Sequence, residues 1–468
     1  MKRSIFNPAT AEVIREIEDS TSTEVDVTIA NAQKSFQEWS SFTPSERSKK
    51  ILDYADLLEK NADEICKLEV EETGKPYSTM REGEFPFGLD NLRFFASAAR
   101  SLDGTGAGSF NHGYTSMLVR KPLGVIGSIS PWNFPFIMAI WKIGPAIAAG
   151  NSVIIKPAPQ TPSSTKKIVE LAQSIFPKNL VQIIYGDADV AQQLVEDKRV
   201  AMISITGSSE SGKKVMETAS KTVKRVHLEL GGKAPVIVRE DADLNQVAQA
   251  ISLACTYNSG QDCTAATRIY AHKNVVKDLE NLMKLRLEAI KVGDPMDKST
   301  DIGPLISEKH RDLVHQKVQK AQVDGATLIT GGKIIPGKGF YYQPTLLSNV
   351  LQSNSIISTE VFGPVITITS VENDDEALRL ANDSEYGLAS SIWTKDVGKA
   401  LELSKQIEAG VTWINDHLPI VSEAPHGGVK ASGFGKDMSQ ESVLEYTSTH
   451  HVMIKHKQHE IKDGFRPN

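Results

Sequence analysis

The chain has 468 residues, 40% hydrophobic and 24% charged, with a net charge of −6 from 52 basic and 58 acidic side chains. This is the balance of a soluble globular protein of roughly two to four domains, with no electrostatic basis for nucleic-acid binding. Its three cysteines, Cys66, Cys255 and Cys263, are too few for a disulfide framework and fit no zinc spacing, so no metal is expected; with an N-terminus that lacks an apolar targeting segment they point to a reducing cytoplasm.

The first hundred or so residues read mainly as helices. "EVDVTIANAQKSFQEW" and "PSERSKKILDYADLLEKNADEICKLEVEET" place apolar residues three and four apart. Within the second, the basic group "RSKK" at 47–50 reads as a solvated helix face. From residue 124 the pattern changes. "GVIGSIS", "NSVIIKP", "LVQIIYG" and "AMISITG" are short Val/Ile-rich runs separated by helical segments. One of these, "TPSSTKKIVELAQSIF", carries Thr161 as its expected N-cap and Pro162 in its first turn. The most apolar stretch, 134–150, is too short to span a bilayer and contains Lys142 and Pro145, so it reads as a buried helix and no membrane partner is expected. "APVIV", "RIYA", "VITITSV", "ASSIWTK" and "GVTWIN" form a second alternating set. Strands alternating with helices predict an α/β fold with parallel sheets. "YTSMLVRKP" (114–122) and "YTSTHHVMIKH" (446–456) fit neither set. As exposed strands they need a partner, either each other or a second copy of the chain.

Several short segments carry possible chemistry. "SITGSSESGKK" (204–214) follows a strand and opens a helix, which suits a phosphate, although its glycine spacing is neither GxGxxG nor a P-loop and a plain tight turn explains it equally. Glu229 lies in the apolar run "HLELGG": it is either a buried carboxylate poised as a general base or a strand residue facing solvent. Asn133, between two prolines in "SPWNFP", offers an amide donor to an oxyanion or is a turn asparagine. Glu360 and Phe362 in "EVFGPV" set a carboxylate and a ring before a Gly-Pro turn, fit for a ribose and a planar cofactor. Cys263 follows an acid, Asp262, which disfavours its thiolate.

"PWNFP", "GNSVIIKPAPQTP", "ITGSSESG", "LELGGKAP", "GQDC", "EVFGPV" and "PHGGVKASGFGKD" occur in this order between residues 6 and 456. Together they resemble the signature blocks of the aldehyde dehydrogenase superfamily. The resemblance implies two doubly wound parallel-sheet domains and a small β flap for oligomerisation. The dinucleotide-binding domain would comprise 1–102, 124–228 and 427–445, the catalytic domain 229–426, and the flap 103–123 with 446–468. It implies Cys263 as the nucleophile that attacks an aldehyde, Asn133 and the Cys263 N–H as the oxyanion hole, Glu229 as the base that hydrolyses the thioester, and Lys142 in a proton-relay region. NAD or NADP would lie against Ile129, Ser130, Trp132, Lys156, Ala158, Pro159, Gly186, Gly207, Ser208, Gly212, Leu230, Glu360 and Phe362. NAD-preferring relatives often carry a glutamate where this chain has Pro159, so both cofactors stay open. A homodimer or homotetramer is expected.

Within the superfamily, "GQDCTAATRIYA" and "VSEAPHGGVKASGFGKDMS" resemble bacterial γ-aminobutyraldehyde dehydrogenases. An aminoaldehyde carries an ammonium, which Asp262 in the substrate tunnel would attract. Trp141 would supply an aromatic wall. Glu84 would add a carboxylate at the tunnel mouth, or is simply a solvated helix charge. Betaine aldehyde and aliphatic aldehydes are the alternatives; succinic semialdehyde is disfavoured because Asp262 would repel its carboxylate. A CoA-acylating enzyme is disfavoured by Glu229, and a catalytically silent protein by the joint presence of Cys263, Glu229, Asn133 and Lys142.

Overall fold

The computed structural model describes residues 2–102, 104 and 106–456. The parts of the expected flap at 103, 105 and 457–468 lie outside the described residues.

The long N-terminal helices begin where local chemistry dictates. Thr21 and Thr43 each accept from the backbone N–H three residues on, while Glu24 and Glu46 accept from the N–H of those threonines. These reciprocal capping boxes open helices Ser22–Trp39 and Pro44–Lys60. Ahead of them the chain forms an antiparallel hairpin, Lys2–Asn7 with Glu12–Glu18, rather than helix. The apolar residues of "EVIREIE", Val13, Ile14 and Ile17, show no period-2 alternation, and a segment this short does not separate strand from helix.

The described strands form two large sheets and two two-stranded pairs. In spatial order, the six-stranded sheet runs Gly433–Phe434, Arg225–Glu229, Val200–Thr206, Val125–Ile129, Ser152–Lys156, Val181–Ile183. It is parallel except for the short edge strand Gly433–Phe434, which returns antiparallel to Arg225–Glu229. The seven-stranded sheet runs Thr327–Thr330, Thr345–Ser348, Val365–Val371, Ala266–His272, Ala234–Val238, Ala389–Trp393, Val411–Ile414, again with one antiparallel edge. This is the expected doubly wound α/β architecture. The strands Tyr114–Pro122 and Thr447–Lys455 pair with each other in antiparallel register, so of the two partners open to them it is the intrachain one that is present.

Helix Pro135–Ala148 is buried along its whole length, as its composition predicts. Its last carbonyls are satisfied by side chains: Trp39 Nε1 donates to Ile147 O at 2.9 Å and Arg47 Nε to Ala148 O at 3.2 Å. Arg47 is therefore buried against a helix C-terminus, where a cation is favoured, and is not part of a solvated basic face. A second correction concerns helix Ser163–Ala172. Pro162, not Thr161, is its N-cap residue, and Glu72 reaches across to accept from Ser163 N at 2.9 Å and from its hydroxyl. Thr161 donates to Trp132 O at 3.3 Å instead.

Buried Asn151 ties three segments together. Its Oδ1 accepts from Leu123 N (2.6 Å) and Gly124 N (2.9 Å), and its Nδ2 donates to Ala146 O (3.2 Å) and Tyr446 O (2.9 Å). Asn151→Ala leaves buried donors and acceptors unpaired. It is expected to lower stability by about 2–4 kcal/mol, read as a fall in the urea midpoint.

Candidate active site

Cys263 sits at the end of a loop of unusual backbone conformation. Asn258, Ser259 and Gly260 have φ of 49°, 59° and 72°. Left-handed conformations at non-glycine residues cost about 1–3 kcal/mol each and persist only when the surroundings enforce them. Here they do. Asn258 Nδ2 donates to Asn133 O (2.9 Å), Ser259 Oγ to Gly303 O (2.8 Å), and Gln261 Oε1 accepts from Ile306 N (2.8 Å). Beyond the cysteine, His417 Nε2 lies 2.9 Å from Thr264 O; a carbonyl can only accept, so this nitrogen carries the proton. Asn258, Gln261 and His417 were not singled out in the sequence, because their partners are distant along the chain.

The Cys263 thiol is half-buried, and burial first, then the charges of Asp262, Glu360 and Glu229, push it well above its ordinary pKa. It opens on a cavity of about 220 Å³ that Asn133, Phe134, Leu230, Glu360 and Phe362 also line. One Asn133 Nδ2 hydrogen goes to Gln261 O at 3.0 Å, leaving the second for a ligand. Glu360 Oε1 accepts from Gly232 N at 2.9 Å, and Phe362, with φ of 58°, is held through its carbonyl by His310 Nε2 at 2.7 Å.

Pro131, Trp132, Thr206, Gly207 and Ser208 are shared with a larger adjoining cleft of about 430 Å³. Ile129, Ser130, Lys156, Ala158 and Pro159 line that cleft too. Gly207 begins the turn into helix Ser209–Ser220, which Ser208 caps, so the "ITGSSESG" stretch does present a helix N-terminus to a cavity. At Gly212 a Cβ would lie 2.6 Å from Leu230, so glycine is required for the helix to approach that wall. Lys156 Nζ donates to Pro157 O (2.9 Å) and Gly186 O (3.0 Å), and burial lowers its pKa to about 8. The hydroxyls of Ser130 and Thr206 are buried and make no hydrogen bond among the described residues. An elongated ligand with phosphates and several hydroxyls fits this lining.

Glu229 ends strand Arg225–Glu229 and is buried, which removes the solvent-facing alternative. Burial raises its pKa; His426 opposes the shift and Asp437 adds to it. Its Oε2 lies 3.7 Å from His426 Nδ1 and its Oε1 4.0 Å from His227 Nε2. Lys142 is fully buried and ion-paired to Asp437, with Nζ at 2.8 and 3.1 Å from the two carboxylate oxygens. Asp437, His227 and His426 were missed in the sequence; Lys142 and Asp437 are 295 residues apart.

The proposed substrate residues fare differently. Asp262 does not line the cavity beside Cys263; its Oδ1 accepts from Thr264 N (2.8 Å) and Thr264 Oγ1 (2.9 Å), which shapes the Cys263 loop. Its second oxygen is not used in this way, and burial raises its pKa. Trp141 is buried, bonded through Nε1 to Asn91 Oδ1, with its ring 5.2 Å from that of His426. Glu84 is neither a solvated charge nor a carboxylate at an open mouth. It is buried 2.5 Å from Lys75 Nζ, which also reaches Glu69 at 3.2 Å. Burial raises Glu84 to about 7 against the pull of Lys75. Breaking such a buried pair costs about 3–5 kcal/mol, so Glu84 is committed to Lys75.

Comparison with known proteins accounts for this constellation. The family model described as "Aldehyde dehydrogenase family" matches residues 2–452. A betaine aldehyde dehydrogenase of Bacillus subtilis (strain 168) is 38% identical over 464 residues, 96% of this chain and 93% of the relative. One of Vibrio vulnificus (strain YJ016) is 37% identical over 457 residues, 96% and 93% of the two chains. Among solved structures, betaine aldehyde dehydrogenase from Staphylococcus aureus in complex with NAD+ superposes with a TM-score of 0.96 at 33% identity, covering 98% of this chain and 93% of that one. PnpE from Pseudomonas sp. WBC-3 gives 0.97 at 34% identity, covering 100% and 96%. A match over nearly every residue, on a fold that sets a loop cysteine and an amide donor against one cavity, makes this chain a member of the aldehyde dehydrogenase family, an oxidoreductase acting on the aldehyde group.

Proposed function

We propose that this enzyme oxidises an aldehyde that carries a cationic nitrogen to the corresponding acid, with 4-aminobutanal as the first candidate and betaine aldehyde as the second. The observation that carries the reading is the clustering of carboxylates about Cys263: Asp262, Glu360 and Glu229 all bear on the thiol. A cationic substrate is drawn to such a site and an anionic one repelled, which disfavours succinic semialdehyde. The relatives named as betaine aldehyde dehydrogenases support the cationic class. They do not name 4-aminobutanal.

On this reading the Cys263 thiolate attacks the aldehyde carbon and forms a thiohemiacetal. The free Asn133 Nδ2 hydrogen and the Cys263 N–H hold the oxyanion. Bound along Lys156, Gly207, Ser208, Glu360 and Phe362, a nicotinamide dinucleotide supplies the hydride acceptor. Glu229, a buried carboxylate whose pKa burial raises, takes a proton from the water that cleaves the remaining thioester. NAD is the first choice of cofactor, because the S. aureus relative binds NAD+. The six-stranded unit would hold the dinucleotide and the seven-stranded unit the nucleophile, and the paired strands Tyr114–Pro122 and Thr447–Lys455 would seat a second copy of the chain.

Steady-state kinetics of 4-aminobutanal, betaine aldehyde and butanal test the substrate class. Cys263→Ala is expected to abolish all three activities. Asp262→Asn should reduce kcat/KM for the two cationic substrates about tenfold or more relative to butanal; an equal loss on all three assigns Asp262 to the loop alone. Removing the Asp262 charge also removes one cause of the high thiol pKa. The same variant should therefore be alkylated at Cys263 by iodoacetamide severalfold faster at pH 8, followed by mass spectrometry.

A further inference from the structure

His227 is almost wholly buried, two residues before Glu229 on the same strand, so both side chains project from one face. Nothing in the chemistry above uses it. Its Nε2 lies 4.0 Å from Glu229 Oε1 and 3.5 Å from Asp437 Oδ1. Its Nδ1 lies 2.9 Å from Glu445 Oε2, at the end of helix Ser439–Glu445, and that carboxylate is 31% exposed. Lys142, from helix Pro135–Ala148, neutralises Asp437 on the far side, and the Tyr446 ring packs at 6.2 Å. Glu229, Asp437 and Glu445 are thus the charged groups facing the imidazole, and Lys142 and His426 reach it only through Asp437 and Glu229.

Two glycines show that the space is reserved for this arrangement. At Gly427 a Cβ would come within 2.3 Å of Glu229 Oε1. At Gly435, with φ of 93°, it would meet Glu445 Oε2 at 2.8 Å and His227 Cγ at 2.9 Å. A side chain at either position would push the base or the imidazole out of place.

Resting on the reading of Glu229 as the hydrolytic base, we infer that His227 is a positioning residue that takes over the proton Glu229 draws from water. Neither ring nitrogen makes a hydrogen bond among the described residues, so Nε2, 4.0 Å from Glu229 Oε1, is open to a proton, and the Glu445 carboxylate 2.9 Å from Nδ1 favours the ring proton on that side. As the water oxygen bonds to the thioester carbon, one water proton passes to the Glu229 carboxylate and on to Nε2. The C–S bond breaks, Cys263 leaves as thiolate, and the product departs as the acid. The imidazolium, flanked by Glu445 and Asp437, then returns its proton through Glu229 to water in the emptied cleft. Glu229 is a carboxylate while the intermediate collapses, and the imidazole ends in its starting tautomer. While His227 holds the transferred proton, its charge 4.0 Å from Oε1 opposes the rise in the Glu229 pKa that burial imposes.

Stopped-flow formation of reduced cofactor, followed by steady-state turnover across pH, tests this. His227→Gln should leave the first turnover within twofold of the parent, while hydrolysis falls about tenfold and a burst approaching one equivalent per Cys263 appears. The hydrolytic limb should move to higher pH. The proton inventory in H₂O/D₂O mixtures should change from curved in the parent to linear. Glu445→Gln, altered at a half-buried position, should shift the same limb in the same direction with about a threefold loss. Unchanged hydrolysis and pH profile in both variants, with Glu229→Gln stalled after its burst, would overturn the role of His227 and leave the base in place. Equal slowing of burst and hydrolysis in His227→Gln makes it a packing residue only. Wild-type turnover in Glu229→Gln removes the base and this inference together.

Discussion

The charge around one sulfur sets the terms for the rest of the molecule. Burial, Asp262, Glu360 and Glu229 all push the Cys263 thiol away from the thiolate it needs. Burial contributes most, each carboxylate adds to it, and the backbone hydrogen bond at the cysteine opposes them without reversing the direction. Each has a second reason to be where it is. Asp262 caps the Cys263 loop through Thr264, Glu360 accepts from Gly232 N, and Glu229 closes a strand of the six-stranded sheet. The carboxylates that disfavour the thiolate also fix the frame around it.

That frame is assembled from distant parts of the chain. The return segment after residue 426 supplies the edge strand beside Glu229, the Asp437 partner of Lys142 and the Glu445 partner of His227. It crosses the boundary between the two large sheets, so Glu229 is held by elements of the first sheet while the cysteine loop leads into Ala266–His272 of the second. Asn133 bridges them, bonded to Gln261 O and Asn258 Nδ2. The placement of Asn133 against the Cys263 loop therefore depends on hydrogen bonds between backbone carbonyls and buried amides, which tolerate little displacement.

The sheet architecture was legible from the alternation of Val/Ile-rich runs with helices, and the buried helix Pro135–Ala148 from its unbroken apolar composition. Cys263, Asn133, Glu360, Phe362 and the glycine turn at Gly207 were legible because each sits in a compact local pattern, and they do converge on one pair of cavities. What stayed hidden was the burial of charged side chains against specific partners. Glu84 and Arg47 look like surface residues in a helical period, yet Glu84 is buried against Lys75 and Arg47 against the carbonyls of Phe42 and Ala148. His227 is the intermediate case. Its spacing from Glu229 puts both on one strand face, which the sequence shows, but its relation to Glu445 appears only once the return segment is in place.

A thiol held protonated by its surroundings is also a thiol protected from oxidation, since reactivity follows the thiolate. On the reading proposed for this enzyme, protection ends when positive charge enters the cleft. A substrate with a cationic nitrogen brings that charge itself, so the feature that draws it in also lowers the cost of ionising Cys263. A neutral aldehyde of the same length brings no such charge and meets the full repulsion of three carboxylates. Discrimination then arises in the reactivity of the nucleophile as well as in binding, and an acid beside the catalytic sulfur is no longer a contradiction but the means by which the substrate switches it on.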